Sequence, residues 1–144
     1  TCGPDLISPN MYRKFAKPFH LKLVTVLNAL EIPVICHICG NQDKIVDDLA
    51  EIGFAGVEFD YKTNPRKAHK AYFGKTTSFG PIDPSGVFCL GTPQDVRRET
   101  QEILDIYQGK GIVIGAGCAL PPNTPEENIR AFTETVKAYQ INWE

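Results

Sequence analysis

The sequence predicts an α/β fold in which about four parallel strands alternate with helices. Three observations carry this. Short apolar or alternating runs recur: "IPVIC" at 32–36, "GVEFD" at 56–60, "TTSFG" at 76–80 and "GIVIGAG" at 111–117. Their length and β-branched content suit buried strands. After each run comes a stretch with helical periodicity, opened by a cap residue and often by proline. The order is therefore a helix, then strand and helix four times, which calls for a parallel sheet with helices outside it. Four such units make half of an eightfold barrel or a small open sheet. No low-complexity stretch or long linker divides residues 1–144, so the chain reads as one domain.

Each element has a local reason. Ser8-Pro9 opens the first helix, with Tyr12, Phe15, Phe19, Leu23, Val26, Leu27 and Leu30 on one face at spacings of three and four. Pro18 interrupts its hydrogen bonding and predicts a kink or two helices. "IPVIC" follows as a strand. Asn41 is placed to cap a helix through Ile45, Leu49 and Ile52 that stops at Gly53. "GVEFD" alternates like a strand, and Asn64-Pro65 opens a short helix ending near Gly74. "TTSFG" is the weakest strand, because 75–92 is rich in Gly, Pro and Ser and reads as a long loop at the functional end of the sheet. Thr92-Pro93 opens a helix ending at Gly109. "GIVIGAG" is the strongest strand. Thr124-Pro125 opens the last helix, with Glu127 completing a capping box.

Charge and composition narrow the function. The 15 basic and 17 acidic side chains nearly balance, which argues against nucleic acid as a partner. No apolar run approaches the roughly 20 residues needed to span a bilayer. No signal peptide is visible, and a start at Thr1 suggests a chain that begins inside a longer product. The five cysteines are an odd number and cannot form a closed disulfide framework. A reducing cytoplasm is the expected compartment, where clustered cysteines point to metal or catalysis.

The cluster lies at 36–40, "CHICG". On a strand, side chains alternate. His37 and Cys39 then share one face, and Cys36 and Ile38 share the other. A C-x-x-C redox pair normally opens a helix, yet Gly40 and Asn41 put the helix start after both cysteines. The geometry favours His-x-Cys. A third ligand is expected from another strand end, and Cys118, closing "GIVIGAGC", is the candidate, since parallel strands end on one side. Three protein ligands with an open fourth position describe a catalytic zinc. The plainer alternative, that these cysteines are small buried hydrophobes, stands beside it on spacing alone.

The tracts "GTPQDV" and "HICG" and the end "GCALPPNTPEENIRAF" resemble the uroporphyrinogen decarboxylase superfamily. Within it, the chain looks like the cobamide-dependent methyltransferase branch. The resemblance runs from "LISPNMYRKFAKP" to the last helix and matches only the C-terminal half of a family member. It implies a TIM-type barrel, here about strands five to eight. Decarboxylases of the family carry Gly-His-Gly where this chain has Gly117-Cys118-Ala119. "FGPIDP" also puts Pro81 where they have asparagine. Both departures weaken a porphyrinogen substrate. The methyltransferase branch binds Zn2+ through His-x-Cys and a distant Cys, which here are His37, Cys39 and Cys118. The implied reaction moves a methyl group between a corrinoid cobalt and a small thiol. The implied partner is a corrinoid protein or free methylcobamide. A half-barrel with open edges is expected to form a homo-dimer.

Asp60 ends "GVEFD" with Glu58 on the same face. It is the candidate catalytic residue, orienting substrate or a zinc ligand, or else a loop aspartate capping amides. Asp83 reads as shaping the "PIDP" turn. Tyr12 and Tyr61 read as packing, His20 and His69 as solvated without a role, and Cys2 and Cys89 as loop cysteines. A helix starting at "HICGN" would offer free amides to an anion.

Overall fold

A computed structural model describes residues 2–140. The chain opens with a helical turn, α1 (Pro9–Met11), a π-helical segment (Tyr12–Ala16) and α2 (Lys17–Ala29). Then come β1 (Ile35–Ile38), α3 (Val46–Ala50), β2 (Gly56–Phe59), α4 (Pro65–Tyr72), β3 (Thr77–Ile82), a π-helical turn (Pro84–Cys89), α5 (Pro93–Tyr107), β4 (Ile112–Ala116) and α6 (Glu126–Ala138). The four strands are parallel and lie in sequence order, with β1 and β4 at the edges.

One face of the sheet is filled and the other is open. Val57, Phe59, Ser78 and Ile82 are buried beneath α3, α4 and α5, together with Leu49, Tyr72, Val96 and Tyr107. Burial of large apolar and aromatic side chains on this face is the main source of stability. Tyr107 also donates to Ser78 Oγ at 3.1 Å, so its hydroxyl is not stranded in the core. On the open face, register aligns His37 with Glu58, Glu58 with Phe79, and Phe79 with Val113. Ile35 and Val113 on this face are about half exposed, at 54% and 52%.

Several expectations need correction. β1 begins at Ile35, later than the expected 32–36, because Pro33 has no N–H to give a ladder. It consequently extends past Cys36 to Ile38. Asn41 does not cap α3. Its Oδ1 accepts from the Asp43 N–H at 2.8 Å and its amide donates to the Lys62 carbonyl, and the helix starts only at Val46. The division expected at Pro18 is present: α2 starts at Lys17 with Pro18 in its first turn. The turn ahead of it widens, with the Lys17 N–H reaching back to the Tyr12 carbonyl, five residues away.

The expected long loop at 75–92 holds β3 and a π-helical turn. Pairing of 77–79 with β2 and of 78–82 with β4 overrides the weak local preference of Gly80 and Pro81, which are held from the β4 side. Thr124 forms no capping box: its hydroxyl donates to the Pro121 carbonyl, and α6 has no side-chain cap. A full box occurs instead at Thr92 and Asp95. His20 and His69 are half-buried, edge-on to Tyr12 and Phe54 and to Phe73 and Tyr107, and burial lowers both pKa values. Tyr12 is core, whereas Tyr61 is exposed. Cys89 closes the second π-helical turn.

Candidate metal centre

His37 sits at the next-to-last position of β1 and Cys39 one residue beyond its end. Strand alternation turns both to the open face, while Cys36 and Ile38 turn toward the helices. Burial, with a contribution from Cys2, pushes the Cys36 thiol up to about 12. A thiol so reluctant to ionise, facing away from Cys39, does not make a C-x-x-C pair. Cys118 lies two residues beyond β4.

The three meet. The Cys39 thiol lies 3.2 Å from His37 Nε2, and Cys118 Sγ lies 3.8 Å from the same nitrogen. One ligand atom from each residue falls within 4.8 Å of the others. A tetrahedral zinc with bonds of about 2.3 Å to sulfur and 2.0–2.1 Å to nitrogen spaces its ligand atoms roughly 3.5–3.8 Å apart. Two thiols and an imidazole at these separations fit zinc in size and in donor chemistry. The Cys39 thiol is raised above its ordinary value, first by burial, then by the hydrogen bond and charge of Cys118, with Asp60 adding to it. Two thiols this close resist ionising together, and a cation between them removes that conflict.

The surroundings orient the cluster. Glu58 Oε2 is 3.3 Å from His37 Nδ1. A carboxylate there holds the proton on Nδ1 and leaves the Nε2 lone pair facing the thiols. Asp60 is 7% exposed. Its two oxygens accept from the backbone N–H groups of Gly40 at 2.9 Å and Lys62 at 3.1 Å. It thus ties the loop that carries Cys39 to the end of β2. The Thr63 hydroxyl accepts from the Gln42 N–H, and Asp43 accepts from the Asn64 N–H, so the loops after β1 and β2 are laced together.

The same contacts exclude the anion site expected at "HICGN". Gly40, Asn41, Gln42 and Asp43 give their N–H groups to Asp60, Asp5, Thr63 and Asn41 side chains. Asp83 shapes its turn as expected, accepting from Ser85 and Gly86 at 2.9 Å each. Sequence reasoning put Glu58 on the right face but gave it no partner. The available signal was an in-facing carboxylate on a strand, one unit away from an in-facing histidine.

The uroporphyrinogen decarboxylase family profile matches residues 2–139. A methylcobamide:CoM methyltransferase of Methanosarcina acetivorans is 27% identical over 140 residues, covering 97% of this chain and 40% of that protein. A methylated-thiol–coenzyme M methyltransferase of Methanosarcina mazei is 34% identical, covering 98% and 36%. A uroporphyrinogen decarboxylase of Thermus thermophilus is 33% identical, covering 91% and 38%. The chain thus spans well under half the length of these relatives. A solved methyltransferase from Methanosarcina mazei superposes with a TM-score of 0.82 at 28% identity, over 94% of this chain and 39% of that one. The four parallel strands are therefore part of a TIM-type barrel.

Proposed function

Because the chain belongs to the uroporphyrinogen decarboxylase family, we propose that residues 1–144 are the C-terminal, metal-carrying half of a zinc-dependent corrinoid methyltransferase. One observation carries the choice over a decarboxylase: His37, Cys39 and Cys118 bring two sulfurs and a nitrogen within 4.8 Å. Relatives of both kinds match at similar identity, so likeness alone does not decide. A decarboxylase acting on a tetrapyrrole has no use for a paired-thiol site.

His37, Cys39 and Cys118 hold the metal. Zinc, when bound with an open fourth position, supplies a lowered pKa for a small thiol, so that a thiolate able to exchange a methyl group with a corrinoid cobalt exists near neutral pH. Glu58 fixes the tautomer and angle of His37. Asp60 is a positioning residue acting through the Gly40 backbone on Cys39. A corrinoid, free or carried on its own protein, approaches over the strand-end face where these ligands lie. All five cysteines are free, in keeping with work in a reducing cytoplasm. No helix among the described residues is long and apolar enough to cross a membrane. On its own, the chain pairs with a second copy through its open edges, β1 and β4, making a homo-dimer with eight strands.

Elemental analysis of folded protein tests the metal assignment. About one zinc per chain is expected, lost in His37→Ala, Cys39→Ser and Cys118→Ser but kept in Cys36→Ser. Zinc retained in Cys39→Ser and Cys118→Ser would refute it. Methyl transfer from methylcobalamin to a thiol, in a chain joined to its N-terminal half, tests the reaction. Uroporphyrinogen consumption there would favour the decarboxylase.

A further inference from the structure

His37 and Cys118 come from opposite edges of the sheet, three strands apart. Adjacent strands are spaced about 4.8 Å, so a flat sheet would leave these strands roughly 14 Å apart. The reach of the two side chains covers part of that gap before His37 Nε2 and Cys118 Sγ come to 3.8 Å, and a close approach of the end of β4 toward β2 covers the rest. The backbone shows this approach. A Cβ on Gly117 would lie 2.9 Å from the Tyr61 nitrogen and 3.0 Å from the Phe59 carbonyl oxygen. Both belong to the end of β2, which is not hydrogen-bonded to β4. Gly80, on the strand between them, is as tightly placed: a Cβ there would meet the Phe59 oxygen at 2.9 Å and Gly117 Cα at 3.1 Å. The Gly117 N–H meanwhile donates to the Ile82 carbonyl at 2.8 Å, so the approach is anchored.

We infer that Gly117 is a positioning residue for the metal centre: by letting the end of β4 rest on the backbone of residues 59–61, it sets Cys118 within reach of His37 and Cys39. The obstacles to a side chain at 117 are backbone atoms, which cannot swing away. Relief must come from moving β4, and Cys118 is the next residue. Gly115, on the same strand, has nothing within 4 Å of its would-be Cβ and serves as a control. The inference rests on the metal reading, and its test separates the two.

The experiment compares the chain with Gly117→Ala and Gly115→Ala. Zinc affinity is measured by competition with a chromogenic chelator. Separately, metal-free protein is treated with dibromobimane, which bridges only closely spaced thiols, and the Cys39–Cys118 link is mapped by mass spectrometry. Circular dichroism confirms the fold. Expected are a loss of about tenfold or more in zinc affinity and loss of the bimane link in G117A, with G115A unchanged in both. A folded G117A with unaltered affinity and linkage overturns the inference. Absent zinc in the unsubstituted chain, with the bimane link present there and lost in G117A, sinks the metal reading while keeping the close approach. Should G117A fail to fold, Gly80→Ala, whose Cβ would press on the same Phe59 oxygen and on Gly117 Cα, takes its place: loss of link and affinity in folded G80A upholds the inference, and both unaltered overturn it.

Discussion

Helices α2 and α5 look alike as sequences. Both carry apolar residues at spacings of three and four, though α2 is the more apolar of the two, and they have similar lengths of 13 and 15 residues. Yet α5 buries Val96, Thr100, Ile103, Leu104 and Tyr107, whereas α2 buries only Val24. Phe19 is 70% exposed, and Phe15, Leu23, Val26 and Leu30 share that stripe. The difference lies in what stands opposite. The inward face of α5 meets β3, β4 and α6, all within this chain, whereas α2 touches the turn at Gly53, where the Asn28 side-chain amide donates to the Gly53 carbonyl at 3.2 Å. Periodicity reveals that a helix has an apolar face, but the covering partner is a property of the assembly.

Ile103→Ala is expected to have the largest effect on this contrast. A well-packed residue on α5 costs roughly 2–5 kcal/mol when truncated, while Phe19→Ala on monomeric chain should fall within about 0.5 kcal/mol. Urea denaturation of both reads the contrast directly, and equal losses would show that α2 is as well covered as α5.

Next in size is the attachment of the first helix, which is polar. Asp48 accepts from Arg13 at 2.9 Å and from Lys17 at 2.8 Å, and Lys17 also reaches Glu51 at 2.7 Å. Burial pushes the Asp48 carboxyl up, but the hydrogen bonds from Arg13 and Lys17 outweigh it and hold the net value below the ordinary one. A folded pKa below the unfolded one gives stability that is present above about 3.9 and is lost as pH falls through the folded value. Asp48→Asn should therefore cost roughly 1–3 kcal/mol at pH 7, and the gap to the unsubstituted chain should shrink below about pH 4. A gap that stays constant to pH 3 would mean the carboxylate's charge is not what fastens α2.

The smallest change in stability is expected from Phe19→Glu, which should leave the urea midpoint of monomer nearly unmoved. Its effect is on association. Sedimentation at micromolar concentration should show a dimer for the unsubstituted chain and a shift toward monomer for the variant. A monomer in both cases would remove the second copy as the cover for this face.

The strand ends were legible in the sequence where the inference needed only parity and direction. Alternation put His37 and Cys39 on one face, and parallel strands brought Cys118 to the same end. What escaped depended on neighbours far along the chain. β3 was obscured because Gly80 and Pro81 are poor strand residues held by pairing with β4. Glu58 had no visible partner until register set it beside His37. Asn41 and Thr124 are good caps in isolation, but each found a better hydrogen bond elsewhere, with Asp43 and Lys62 and with Pro121. The exposure of α2 was illegible for a different reason, since periodicity marks an apolar stripe whether or not anything among the described residues packs on it.

The separation between Cys39 and Cys118 has a consequence during synthesis. A ribosome adding about 5–20 residues per second makes His37 and Cys39 first and leaves roughly 4–16 seconds before Cys118 exists. On the proposed zinc site, the nascent chain through that interval offers two of the three ligands, with β4 and its glycine approach still unmade, so the ligand set is completed only by the last quarter of the chain.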